Sequence, residues 1–261
     1  MGAPRSLASA WRVGFERLGP RQVAKMRAAG AVAAATLAHV GSRLALGMSA
    51  AEIDRLVRED TARRGARPSQ LGYHGFPGAV CVSRNDVVCH GVPREDDRLA
   101  EGDVVSVDVT SELDGWHGDT CATFAIGEVT PEAAHLIETA RRCRDRGIGE
   151  VRDGVRIGDV GACIEELAER EGCTVVREVG GHGIGRAMHL APHVGHHGPS
   201  RSGPRLRAGM AITIEPILIL GRARLVLDVD GWTLRTSGGQ LAAQFEHTIL
   251  VTRAGAEVLT R

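Results

Sequence analysis

The sequence predicts an α+β chain in which one unit is used twice. Three observations carry that expectation: an Asp-Gly hairpin between valine-rich strands, a helix pair ahead of each strand-rich segment, and a motif order that recurs in both halves. The hairpin is the sharpest signal. Val104, Val105 and Val107 are β-branched strand residues, Asp108 follows them, and Asp114-Gly115 is a two-residue turn signal. Closing there, the strands would set Asp108 and Asp119 side by side. Two carboxylates among valines are costly to bury unless a cation or a shared proton compensates them. The alternative is one solvent-facing carboxylate and one turn cap.

In chain order, residues 1–18 read as a flexible lead-in, and 19–261 as a single domain with halves of about 19–129 and 130–261. Pro20 stands where a helix can start. Residues 22–46 are Ala-rich, with Val23, Met26, Val32, Leu37, Val40 and Leu44 at roughly helical spacing. Ser49 and Glu52 form a capping box for a second helix, and Gly65 is its stop. Residues 70–98 are turn-rich and aromatic, with strand-like runs at 79–83 and 87–90. The second half repeats this order. One helix starts near Thr130-Pro131 and runs to about Gly147, another starts near Asp159 and ends at Gly172, and strands follow.

Short motifs recur with the elements. Leu99-x-x-Gly102 leads six residues on to Asp108, and Leu206-x-x-Gly209 leads six residues on to Glu215. Cys89-His90-Gly91-Val92 is matched by Gly181-His182-Gly183-Ile184, and Asp119-Thr120 by Glu246-His247-Thr248. Such a duplication would place one His-Gly and two acidic residues per half around a pseudo-two-fold axis.

Composition narrows the class. Hydrophobic residues make up 43%, enough for a sizeable core, and the formal net charge is zero, so no broad basic face for nucleic acid is expected. Lys25 is the only lysine among otherwise arginine cations. Six cysteines (Cys81, Cys89, Cys121, Cys143, Cys163, Cys173) show no C-x-x-C spacing. No apolar run is long enough to span a membrane, and the first residues lack the apolar core of a signal peptide. These features suit a reduced, cytoplasmic protein whose cysteines are free core thiols.

Asp108, Asp119, His182, Glu215 and Glu246 are the candidate metal ligands. One metal ion rarely needs four carboxylates, whereas two divalent ions share them naturally, because a carboxylate can bridge. The oxygen-rich set suits Mn, Fe, Co or Zn, and the lack of thiolates argues against a structural zinc site. Each residue has a plainer alternative alone: Glu215 before Pro216 could close a strand, Glu246 could face solvent, and His182 could bond backbone in a Gly-rich turn.

The motifs resemble those of type I methionine aminopeptidases. They are Asn85-Asp-Val-Val-Cys-His90-Gly-Val-Pro93, Asp108 with His117-Gly-Asp119-Thr120, Gly181-His-Gly-Ile-Gly-Arg186 with His189, Thr213-Ile-Glu215-Pro216, and Gln244-Phe-Glu246-His-Thr-Ile249. The likeness runs from about Val23 to Val258. It implies the pita-bread fold, two pseudo-symmetric halves of helices packed on antiparallel sheet around a dinuclear metal site, with 19–261 as the catalytic domain. It implies removal of N-terminal methionine from nascent chains when the second residue is small. By the resemblance, Asp108 chelates one ion, Asp119 and Glu246 bridge both, and His182 and Glu215 complete the other shell. Glu215 also accepts the proton of the attacking water. His189 lies near the scissile carbonyl and His90 near the leaving nitrogen, where neutral imidazoles can donate near physiological pH. For both histidines the alternative is a packing role behind the site.

The family's methionine pocket corresponds to Tyr73, Phe76, Cys81, Met188 and Trp232, which include three of a small aromatic complement of three Trp, one Tyr and four Phe. Phe76 stands where tyrosine is common, Met188 where an aromatic is common, and Leu190-Ala191 replaces a more acidic pair; these changes bear on substrate preference. His193, His196 and His197 read as loop residues among Pro192, Gly195 and Gly198. The resemblance also implies a monomer that works transiently near the ribosome, without an extension dedicated to docking there and without binding nucleic acid or membrane. Met1-Gly2 itself fits the small-second-residue rule, so self-processing in trans is expected. Two other readings remain open: a proline-directed dipeptidase or aminopeptidase P of the same fold, and a non-catalytic binding protein.

Overall fold

The computed structural model describes residues 16–261. The expectations for Met1-Gly2 and most of the lead-in lie outside the described residues. Within them the lead-in is already tied down, since the Leu18 amide donates to Gly209 O at 2.8 Å.

The described residues form four α-helices and fifteen strands, with a helix pair ahead of each strand-rich segment as expected. The first half holds α1 (Pro20–Gly41), α2 (Ala50–Arg63), β1 (Arg67–Pro68), a short 3₁₀ turn (Tyr73–Gly75), β2 (Cys81–Arg84), β3 (Val87–Cys89), β4 (Val104–Leu113) and β5 (Trp116–Ala125). The second holds α3 (Pro131–Glu150), α4 (Ile157–Arg170), β6 (Cys173–Val175), β7 (Gly181–Gly183), β8 (Leu190–Val194), β9 (Ala211–Ile214), β10 (Ile217–Leu220), β11 (Leu225–Leu227), β12 (Leu234–Thr236), β13 (Ala242–Gln244), β14 (Glu246–Val251) and β15 (Ala256–Val258).

Local chemistry sets the helix ends. Pro20 opens α1, which stops at Gly41, short of the expected Leu46, where a Cβ would stand 2.5 Å from the Phe124 ring. Ser49 caps α2: its hydroxyl accepts from Glu52 N at 3.1 Å, and Glu52 accepts from Ser49 N at 2.6 Å. Gly65 follows with φ +74°, a conformation that suits glycine at a helix stop. The Thr130 hydroxyl accepts from Ala133 N at 3.2 Å to start α3. Helix α4 begins at Ile157, ahead of the expected Asp159, because Asp159 works from inside the first turn by accepting from Arg156 N.

The main sheet has the order β1-β4-β5-β14-β9-β7-β8, with β2 also on β4 and β15 on β14. The halves meet where β5 pairs with β14. Each half has its own core. Val40, Ile53 and Val57 of the first helix pair pack on Val82, Val105 and Val107; Ala140, Ile164 and Leu167 of the second pack on Ile212, Ile214 and Ile249. At the seam, α1 lies directly on β5. A Cβ on Gly118 would stand 2.6 Å from the Cα of Gly30, so glycine next to Asp119 allows that approach.

The duplication is visible in three dimensions. Leu99 and Leu206 are both buried, Gly102 and Gly209 both have positive φ, and single bridges join Ser49 to Arg98 and Arg156 to Arg205, at the starts of α2 and α4. One expected match fails. His182 lies on β7 in the main sheet, whereas His90 follows β3, which pairs with β12 in a separate three-stranded sheet. The two His-Gly motifs are therefore not symmetry mates.

No helix among the described residues is long and apolar enough to cross a membrane. All six cysteines are free and buried.

Candidate metal centre

Strand register assembles the acidic residues. Asp114 and Gly115 both have positive φ, at 52° and 77°, and close a two-residue turn that sets Leu113 opposite Trp116. Counting back along the ladder, Asp108 faces Cys121 and Thr110 faces Asp119. The two aspartates are thus diagonal neighbours on one face rather than a directly opposed pair. Across the seam Cys121 also faces Glu246. Asp108, Cys121 and Glu246 therefore form one row across three strands, with Asp119 beside it, and Glu215 follows directly on β9, whose last pair with β14 is Ile214 with His247. From β7, His182 points Nε2 at this group, 3.4 Å from Glu215 Oε1 and 3.7 Å from Asp119 Oδ2.

Threonines and glutamines hold the carboxylates. Thr110 Oγ1 donates to Asp119 Oδ1 at 2.7 Å, and Thr213 Oγ1 donates to Glu215 Oε1 at 2.6 Å. Gln244 Nε2 reaches Glu215 Oε2 at 3.4 Å. On the edge of β4, β1 pairs as far as Ser111 and β2 as far as Asp108, and among the described residues no strand pairs there with Val109 and Thr110. The Gln70 side-chain amide fills that gap, donating to Asp108 O at 2.8 Å and accepting from Thr110 N at 3.1 Å.

The electrostatics call for a cation. The His182 ring lies with Nδ1 3.0 Å from the carbonyl of Gly183. A carbonyl only accepts, so Nδ1 carries the proton and Nε2 presents a lone pair to the carboxylates. Burial lowers the His182 pKa to about 4, which keeps the ring neutral. Oε1 of Glu246 is buried and has no hydrogen-bond partner among the described residues. Acceptors thus face acceptors in an enclosed space, an arrangement that a bound cation satisfies. Ligand atoms of Asp119, His182 and Glu246 all lie within 4.8 Å of one another. In the protein without an ion, burial raises Asp119 to about 7, with Glu215 adding to it, and Glu215 to about 8, with Asp108 adding to it. Asp108 and Glu246 are held well above the usual carboxylate range by burial, then by Asp119.

Of the candidate substrate residues, His189 and Cys81 border this cluster. The His189 ring packs edge-on to His182 at 4.4 Å, and its Nδ1 is 2.8 Å from the Tyr73 hydroxyl. Burial, then the neighbouring His182, depresses His189 to about 2. His90 has φ 54°, an uncommon conformation for a non-glycine residue. Gly91 beside it would put a Cβ 2.0 Å from Val82 O, so the turn is pressed onto β2. Phe76 meets Trp232 edge-on at 5.3 Å. Trp232 is set by Asp230, whose Oδ1 accepts from the Trp232 and Thr233 amides, both at 2.9 Å. Cys81 faces Asp108 from β2, and Phe76, Cys81 and Met188 are all buried. His196 lies in the loop as expected, but it is buried and its Nε2 accepts from the Glu215 amide at 3.2 Å, whereas His193, also expected in the loop, lies on β8.

Fold and cluster together define a carboxylate–imidazole cation centre buried between two related α+β halves. Residues 24–253 match the model of metallopeptidase family M24. Methionine aminopeptidase A of Synechocystis is 44% identical over 243 residues, covering 93% of this chain and 96% of that protein. The crystal structure of methionine aminopeptidase from Rickettsia prowazekii superposes with a TM-score of 0.93 at 38% identity, covering 95% of this chain and all of that one. Prolidase from Pyrococcus furiosus shares the fold alone, with a TM-score of 0.75 at 18% identity over 94% of this chain and 65% of that one. The chain belongs to metallopeptidase family M24, among its methionine aminopeptidases, and has their pita-bread fold. Membership implies a divalent metal, and the buried cluster suits one.

Proposed function

We propose that this chain removes the N-terminal methionine from nascent proteins and peptides when the second residue is small. The observation that carries the reading is the buried Glu246 Oε1, unpartnered among the described residues, beside buried Asp119, half-buried Asp108 and Glu215 and a neutral imidazole, in a chain of this family. Asp108, Asp119, His182, Glu215 and Glu246 would hold two divalent ions drawn from Mn, Fe, Co or Zn, and such ions would lower the pKa of water and polarise the scissile carbonyl.

The residues of the chain do the rest. Glu215 accepts the proton of the attacking water, and the Thr213 hydroxyl on Oε1 fixes its direction. With Tyr73 donating to Nδ1, neutral His189 carries its proton on Nε2 and donates it to the carbonyl oxygen as charge develops. His90 stands at the leaving amide nitrogen. Tyr73, Phe76, Cys81, Met188 and Trp232 receive the methionine side chain in an apolar slot. The enzyme is a monomer that meets its substrates in the cytoplasm, transiently near the ribosome, and binds neither nucleic acid nor membrane.

The test is hydrolysis by metal-stripped protein refilled with one metal at a time, offered Met-Gly-Met and Xaa-Pro peptides. Cleavage of Met-Gly-Met is expected. A preference for Xaa-Pro would move the chain to the proline-directed readings. A protein that takes up no metal would be a binding protein.

A further inference from the structure

The chain changes sheets at Glu215. Strand β9 belongs to the main sheet and ends at Ile214, while β10 begins at Ile217 in the sheet with β13 and β6. Pro216 between them has no N–H. The last pair along β9 is Ile214 with His247, so the Glu215 amide has left the ladder and needs another acceptor. That acceptor is Nε2 of His196, 3.2 Å away, on a side chain that is 1% exposed.

His196 is itself gripped by α4. A Cβ on Gly161 would stand 2.7 Å from Gly195 O and 2.9 Å from His197 N, in the peptides on either side of His196, and 2.6 Å from His197 O. One turn along, Glu165 Oε2 accepts from Gly198 N at 2.9 Å. Asp159 Oδ1 accepts from Arg201 N at 2.7 Å and from the Ser200 hydroxyl at 2.6 Å. The loop over 195–201 is thus seated on one helix face, with its single buried imidazole turned toward the site.

We infer that His196 is a positioning residue: through its ring, the α4 surface fixes the Glu215 backbone at the sheet change and so aims the Glu215 carboxylate. The inference rests on the reading of Glu215 as metal ligand and proton acceptor. It also explains why glycine occupies position 161 in the middle of a helix, where it otherwise costs stability relative to alanine.

The experiment compares His196→Leu, which fills the space without an acceptor, with His196→Gln, whose amide oxygen can stand where Nε2 stood. Metal-free protein is titrated calorimetrically with Mn²⁺, and Met-Gly-Met hydrolysis is measured separately. The Leu variant is expected to lose about 10–100-fold in Mn²⁺ affinity or in kcat, with KM within about twofold because no substrate group is touched. The Gln variant is expected to recover most of that loss. Wild-type metal binding and kcat in the Leu variant overturn the inference; so does a Gln variant as impaired as Leu, which would make the ring mere packing. If the Leu variant does not fold, Gly161→Ala carries the test: it keeps every group at the site and displaces the loop. The same loss in kcat or affinity is expected there, and unchanged values overturn the inference. Glu215→Gln separates the two levels. If it keeps wild-type affinity and turnover, the site reading fails and the inference with it. If it is inactive while His196→Leu is normal, only the positioning role is wrong.

Discussion

Asp119 and Thr248 bind each other twice across the seam between the halves. The Asp119 amide donates to Thr248 Oγ1 at 2.9 Å, and that hydroxyl donates back to the Asp119 carbonyl at 2.9 Å. Thr120 Oγ1 donates to Glu246 O at 2.9 Å on the same seam. Side chains thus lock the junction of β5 and β14, which carries Asp119 and Glu246, the two carboxylates proposed to be shared between ions. The pseudo-symmetry and the metal centre have the same origin in this junction.

Asp119→Asn removes a shared anionic ligand while preserving volume, so both ions should weaken and activity should fall with metal content. Metal analysis alongside turnover at limiting metal checks this. Wild-type turnover under those conditions would contradict a two-ion centre.

His189→Ala should leave metal content unchanged, because His189 is proposed to act on the substrate and not to be a ligand. Loss of a proton or oxyanion donor is typically worth about 10²–10³-fold, and kcat should fall by that order. A variant that loses its metal instead would put His189 in the wrong role.

The pocket prediction concerns substrates. An apolar slot discriminates by about 1–3 kcal/mol per methylene. Norleucine at the first position should be cut more slowly than methionine but detectably, and N-terminal Lys or Glu not at all. Competition assays on a peptide series read this directly, and efficient cleavage after Lys or Glu contradicts it.

The stability of the metal-free protein should depend on pH in a defined direction. Asp119 and Glu215 have folded-state values of about 7 and about 8, raised chiefly by burial above the unfolded range near about 4. A raised carboxylate favours folding while protonated, so that stability is present at low pH and lost as pH rises through the folded value. His182, His196 and His247 act oppositely: burial lowers them to about 4, about 3 and about 4, so their stabilisation is lost as pH falls below their unfolded value near about 6.5. Above that pH the histidines are neutral in both states, and the carboxylates decide. Between pH ~6.5 and ~8 the melting temperature of metal-free protein should fall, and a divalent ion should restore it most at the upper end. A melting temperature that rises across this window without metal would contradict the site's electrostatics.

What was legible in the sequence was local. Ser49 with Glu52, Thr130 with Pro131, and Asp114-Gly115 each act over a few residues, and each forms the element expected of it. Asp108, Asp119 and Glu246 share one face because strand alternation and register place them there, and His182 brings a ligand atom within 4.8 Å of those of Asp119 and Glu246. The diagonal relation of Asp108 and Asp119 could also have been read, since a two-residue turn at 114–115 sets Asp119 opposite Thr110 by counting. What the sequence did not disclose depends on distant partners. Gln70 fills the β4 edge from 38 residues away, and His196 meets the Glu215 amide from 19. Neither carries a local signal: a glutamine in a turn and a histidine among glycines look ordinary until the strands they complete are in place. The His-Gly match misled for the opposite reason, because two short motifs with the same letters sit on strands of different sheets.

The most direct measurement follows metal content and Met-Gly-Met hydrolysis together as a divalent ion is added back to stripped protein one equivalent at a time. Activity should be absent from the stripped protein, rise with occupancy toward two ions per chain, and stay absent in Asp119→Asn. Stripped protein that cleaves at the refilled rate, or protein that takes up no divalent ion, would contradict the account.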